Sequence, residues 1–411
     1  MAVPQQFGQG VLTESLPLLA LDDIGDPLEN GRCWSGHVSH LDSNRLLYTR
    51  ACTRTNRQAG LPEAVDGHSS TAMTTFLTAP QPGLPPAKGP ISAALIDRLG
   101  NRAPHNHLEP VWIPLRDSDP LGLDVQLSLY LCYELHYRGF SGVDQDWEWN
   151  AGLLHLRSQF ERSFLAAVRR EVGRIDPDDT AEREMARLSV EPRDGTGPSY
   201  HLRDAGTWEQ MREYFVHRSV YHLKEGDPHA WLIPRLSGQA KAAFVAVEYD
   251  EYGAGSSDRI HQNLFADLLK EAELDDAYLG YLDAVPAESL ALVNLMSMFG
   301  LHRRLRGAAA GHFAATEITS SPGSQRLVTA LERLEAPEAC VRFYREHVEA
   351  DAVHEQVVRH DVVGDLVRRE PELDCDVVFG MRAFAAMEDR LADHLMKCWL
   401  AERSSLCRPL T

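Results

Sequence analysis

The sequence predicts an all-α protein: a helical bundle in the C-terminal half, preceded by an N-terminal extension that is partly irregular and partly helical. Three observations point there. Alternating runs of Val, Ile, Thr and Tyr bounded by turns, the mark of strands, are almost absent. From Thr207 onward apolar residues recur at helical spacing nearly without a break. By contrast, the stretch Thr78–Pro90 carries five prolines, which rules out a helix interior there.

In chain order, residues 1 to about 110 read as loops and short helices wrapped on something larger. Helical signal begins near Asp119, where a run opens with Asp-Pro and closes at Gly139, as a capped helix does. A second helix spans about Asn150 to Val172, with Leu153, Leu154, Phe160, Phe164 and Val168 at helical spacing. The polar interval Arg174–Tyr200 marks a domain boundary, giving an extension at 1–195 and a helical domain at 196–411. Helices in that domain are expected at about 207–224, 228–251, 258–270, 286–302, 303–320, 324–334, 337–360 and 374–402.

Composition excludes several classes. The chain has 41 basic and 60 acidic residues, a formal charge of −19, so it repels phosphate backbones and anionic membrane surfaces. Nucleic acid and membrane are therefore not expected partners. Seven cysteines are scattered with no C-x-x-C pair, which reads as reduced thiols rather than a disulfide frame or structural zinc. The N-terminus shows no basic, apolar leader and no run is long enough to span a bilayer, so a cytoplasmic protein is expected.

The sharpest local feature is His347, Asp351 and His354, at i, i+4 and i+7 on one helical stripe. Phe343 and Val358 continue that stripe, while Arg345, Glu349 and Gln356 take the opposite face. The ionisable triplet thus points where the helix points its apolar residues. Burying such groups is costly unless something compensates them, and a divalent metal does so directly. A second cluster places Glu251 and His261 ten residues apart, with Gly253 and Gly255 predicting a break between them and Asp258 three residues before the histidine. A third places Glu317 at the end of a helix lined with Gly307, Ala308, Ala309, Ala310 and Gly311. Taken singly these fit a His–Asp core pair, a helix-end glutamate, a surface histidine and a helix-end charge, and the residues alone leave those readings open. Taken together they give Glu, His, Glu, His, Asp, His, a mixed imidazole and carboxylate set that suits iron or manganese.

Glu134 and His136, at i and i+2, face different ways and read as structural or as part of a dimer interface. Glu225 reads as a surface charge, and His217, His222 and His229 as residues near the start of the core. Arg303, Arg304 and Arg306 read as partners of acidic neighbours.

The order and spacing of Glu251, His261, Glu317, His347, Asp351 and His354 resemble those of the haem-oxygenase-like di-iron oxidases, the iron-containing redox enzymes. The resemblance covers about residues 200–400. It implies a haem-oxygenase-like helical bundle with those six residues as catalytic metal ligands and Asp258 as an auxiliary carboxylate. It further implies two iron ions cycling between Fe(II) and Fe(III), O₂ as co-substrate, a small-molecule substrate and an external electron donor. The spacing is similar to that of the family's N-oxygenases, so the expected activity is oxygenation of an amine, guanidine or aminoimidazole nitrogen in biosynthesis. Oxidative C–C cleavage or desaturation of an amino or fatty acid is the alternative, and a metal-free helical binding protein the alternative of another class. A homodimer built on the N-terminal helices is also expected.

Overall fold

A computed structural model describes residues 81–103, 113, 118–192 and 194–410. The irregular segment expected before residue 80 lies outside them. The described residues are helical and hold no strand. In chain order the helices are α1 (Pro90–Leu99), α2 (Leu123–Glu134), α3 (Ala151–Val172), α4 (Ala181–Leu188), α5 (Pro198–Asp204), α6 (Trp208–His222), α7 (Asp227–Ala230), α8 (Gly238–Glu251), α9 (His261–Glu271), α10 (Ala287–Leu301), α11 (Arg306–Arg333), α12 (Glu338–Val357), α13 (Gly364–Arg369) and α14 (Asp374–Trp399).

Local chemistry sets many of the boundaries. Asn150 caps α3 by accepting from the amide of Leu153, and Gly173, at φ +73°, ends it. Thr207 and Gln210 form a reciprocal capping box at the start of α6. Pro228 opens a helix in its first turn, and Pro234 interrupts the stretch expected as one helix from 228 to 251. It becomes α7, a short 3₁₀ turn at Ile233–Arg235, and α8.

The polar interval expected to separate an extension from a helical domain is a connection inside one packed unit, and it contributes α4 and α5. Across the expected boundary at 195, α2 packs on α10, and α3 and α4 pack on α14. The reason is burial: α2 and α10 are apolar nearly all round, so each needs neighbours on every side.

The helix carrying Glu317 also differs from expectation. It does not stop near 320 but runs through Pro322 to Arg333. An interior proline costs about 3 kcal/mol in an isolated helix, and here α11 is held along α12 and α14. The small-residue stripe explains that grip. A Cβ built on Gly311 would lie 1.9 Å from the carbonyl oxygen of Val377, and one on Gly380 2.0 Å from that of Ala308. The two backbones touch because neither position carries a side chain, and this contact fixes where α11 aims Glu317.

Gly311→Ala is therefore expected to destabilise the fold by about 1–3 kcal/mol through overpacking. Gly323→Ala, on the same helix with only the tip of Arg326 near its would-be Cβ, at 3.8 Å, is expected to stabilise by about 0.5–1 kcal/mol. Denaturant unfolding of the two variants checks the contrast.

Candidate metal centre

The three clusters converge. Glu251 closes α8, His261 opens α9, Glu317 lies within α11, and His347, Asp351 and His354 project from α12. All six are buried. A seventh residue joins them. Glu225, read from sequence as a surface charge, sits in the turn after α6 and is only 5% exposed.

The ligand atoms fall into two groups, each with its atoms within 4.8 Å of one another. The first is Glu225, His261 and His347; the second is Glu251, Glu317, Asp351 and His354. Asp258 belongs to neither. It is exposed on a 3₁₀ turn and accepts only from the hydroxyl of Ser257, because the break that returns His261 to the core turns outward at that point.

That break has a local cause. Gly253 has φ +79°, and a Cβ there would lie 2.7 Å from the backbone nitrogen of Ile260. A bare backbone at 253 lets the chain double back, so Nδ1 of His261 ends 2.8 Å from Oε2 of Glu251. Glu251 thereby spans the two groups. On α12 the register does the work: Nδ1–H of His347 donates to the Phe343 carbonyl at 2.8 Å, which leaves Nε2 facing Glu225, 3.6 Å away. Nδ1 of His354 faces Glu317 at 3.2 Å and Asp351 at 3.4 Å, while its Nε2 meets Asp250 at 3.2 Å. Asp250 thus orients a ring whose other nitrogen points inward. His222 holds Glu225 with a 2.8 Å hydrogen bond from Nδ1 to Oε1.

The electrostatics are those of a site with its charges uncompensated. Burial favours the neutral ring of His347, but Glu225, Asp351 and Glu251 outweigh it and hold its pKa up to about 10. Burial likewise opposes charge on His354, and Asp351, Glu317 and Asp250 raise it to about 11. Glu317 is pushed up to about 8, chiefly by burial, with Asp351 and Glu251 adding to it. One turn before Glu251, burial and the acids around it drive Glu248 well above the usual carboxyl range. Oε2 of Glu225 and Oδ2 of Asp351 are buried with no hydrogen-bond partner, and Nδ1 of His261 and Nε2 of His347 lie near the carboxylates of Glu251 and Glu225 without hydrogen-bond geometry. Orphaned buried polar atoms are rare in folded proteins, and these belong to candidate ligands.

Those atoms fit a metal pair. With neutral imidazoles, the four carboxylates of Glu225, Glu251, Glu317 and Asp351 carry the charge that two divalent cations cancel. A void of about 20 Å³ lies among Glu225, Glu251, Glu317, His347 and Asp351, large enough for a water-sized sphere. No cysteine joins either group, so the donors are hard to borderline, as iron prefers.

Residues 212–389 match the model of the iron-containing redox enzyme family. The matched span holds all seven residues of the two groups, and the all-α bundle agrees with the family's haem-oxygenase-like fold. The match supports an iron-dependent oxidoreductase. No curated protein matches the chain significantly.

Most of the other residues singled out in the sequence have structural partners, while Arg303 and Arg304 are exposed. His217 lies between the hydroxyls of Ser289 and Ser405, and His229 meets His312 at 3.4 Å. Arg306 pairs with Glu370. Glu134 pairs with Lys224, and His136 with Glu148.

Metal uptake requires neutral imidazoles and ionised carboxylates, so it releases protons. At pH 7 the metal-free site keeps His347, His354 and Glu317 protonated, since their pKa values lie above that pH. Affinity for Fe(II) or Co(II) is therefore expected to rise with pH from 6 to 8. Calorimetry in buffers of different ionisation enthalpy should show net proton release. A pH-independent affinity without proton release would count against the ligand set.

Proposed function

We propose that this chain is a non-haem di-iron oxygenase that transfers oxygen to a nitrogen of a small metabolite. The observation that carries it is the convergence of seven buried side chains into two adjoining groups, within the span that matches an iron-containing redox family. A metal-free binding protein would have Glu251 and Glu317 pointing elsewhere; here both face the same space as Asp351 and His354.

The first iron would be held by Glu225, His261 and His347, and the second by Glu317, Asp351 and His354, with Glu251 between the two. Bound iron would supply activation of O₂. The residues contribute position and proton control. Phe343 fixes the tautomer of His347 through its carbonyl, Asp250 aligns His354, and His222 steers Glu225. Burial and the neighbouring acids favour the protonated form of Glu248, one turn before Glu251, and its carboxyl would serve as a proton source there.

Substrate would enter a cavity of about 370 Å³ that reaches His222, Glu225 and His347. That volume suits a small metabolite. Its lining includes Glu388, Asp389, Ser320 and Ser324. Arg218 engages Glu388 with two hydrogen bonds of 2.7 Å and leaves Asp389 to face a cationic group. The Asp389 carboxylate in an otherwise largely apolar lining would offer a counter-charge to an amine-like substrate. Oxygenation of an amine to a hydroxylamine consumes one O₂, two protons and two electrons and yields one water, so an external electron donor is part of the proposal.

Anaerobic loading should give two irons per chain, and exposure to ¹⁸O₂ with an amine panel should give product heavier by one ¹⁸O atom. Glu317→Ala and His347→Ala are each expected to lower iron affinity and O₂ consumption by more than about 100-fold. A product that has lost a one-carbon fragment or two hydrogens would instead indicate C–C cleavage or desaturation. Absence of O₂ consumption by the iron-loaded protein would overturn the oxygenase reading.

A further inference from the structure

The most heavily built polar cluster outside the two ligand groups lies where α2 ends. Lys224 and Glu134 form an ion pair at 2.8 Å with both side chains at most 1% exposed. The Lys224 ammonium also sits over the rings of Tyr130 and Tyr137, at 4.2 and 4.7 Å. The hydroxyl of Tyr278 and the amide of Arg138 both donate to Oε1 of Glu134, at 2.8 and 3.3 Å. A buried ion pair of this kind gives little net stability over apolar packing, and its best-attested use is to specify geometry.

The geometry it specifies is that of a ligand turn. Lys224 immediately precedes Glu225, and Gly226, at φ +85°, follows it. Arg138 donates to the carbonyl of Leu223 at 3.4 Å and to Oε1 of Gln262 at 2.6 Å. Gln262, next to His261, turns its amide back to donate to the carbonyl of Glu225 at 2.9 Å and to Asp227 at 3.2 Å. Asp227 also accepts from Tyr252, in the break after Glu251, at 3.0 Å. One short segment therefore reaches the backbone on both sides of Glu225 and, through Gln262, the start of α9.

We propose that Glu134–Arg138 is a clamp that positions Glu225 and His261, so that the N-terminal helices set the affinity and coordination geometry of the first ligand group, and reach the second only indirectly, through Asp227 and Tyr252 beside Glu251. The proposal rests on the metal reading above. Glu134, Lys224, Arg138 and Gln262 are positioning residues; none of them belongs to either ligand group.

The test is anaerobic Co(II) titration of the full-length chain, followed by the ligand-field bands. The double variant Lys224→Met/Glu134→Gln removes the charges but keeps an acceptor for Tyr278 and Arg138. Arg138→Met, at an exposed position, leaves the ion pair intact and serves as the second arm. In a Glu317→Ala background, where the first group is the site titrated, each is expected to weaken Co(II) about 10–100-fold and to shift its ligand-field bands. In a His261→Ala background, where the second group is titrated, each should weaken Co(II) far less than in the Glu317→Ala background. Unchanged binding in the Glu317→Ala background, or equal loss in both backgrounds, would overturn the clamp. A wild-type chain that takes up no Co(II) would instead overturn the metal reading itself, before any variant is compared.

Discussion

The whole arrangement depends on keeping four carboxylates and three imidazoles out of water in the middle of a helical bundle. Such groups repel one another and lose their hydration, so a bundle tolerates them only if a cation or shared protons cancel the charge. The surrounding features serve that constraint. The glycine contact between α11 and α14 sets the height of Glu317. The bare backbone at Gly253 folds His261 back beside Glu251. The register of α12 puts three ionisable side chains on the face that otherwise carries Phe343 and Val358.

Much of this was legible in the sequence, for identifiable reasons. The α12 triplet shows in the sequence because helical periodicity alone places it among core residues. The glycines after Glu251 announced a break, and the break is there. Glu225 was read as a surface charge because it lies in a turn, where no period tells inside from outside; its partners Gln262 on α9 and His347 on α12 are remote in sequence. Asp258 failed for the converse reason, since distance along the chain from a histidine says nothing once the helix is interrupted. The end predicted for α11 was misplaced because Pro322 is a local signal, whereas the helix is held by neighbours on both sides. The same holds for the division near residue 195: a polar stretch looks like a linker until the apolar faces of α2 and α3 are seen to need α10 and α14.

The two candidate ligand groups are not equivalent. The larger cavity touches Glu225 and His347 of the first group and no member of the second. The second group is instead closed over by α8 and α12, with Asp250 at its outer edge. The side open to small molecules is therefore the side whose geometry is tied to the N-terminal helices. A chain lacking those helices would keep the α12 triplet yet lose the support of the turn that carries Glu225.

Just beyond His354 the chain winds wider, with a π-helical stretch at Val358–Val363 before α13. On α13, Asp365 accepts from the amide of Ala240 at 3.1 Å and so anchors the start of α8. Each residue of an α-helix advances the chain by about 100°, so the extra winding acts as a phase adapter between two fixed points. Wound instead as a regular α-helix, the same six residues would carry Asp365 about 100° too far, the advance of one residue, and with His354 held in place it would swing away from α8. The winding of this short interval thus sets where Asp365 points, even though none of its six side chains belongs to either candidate ligand group.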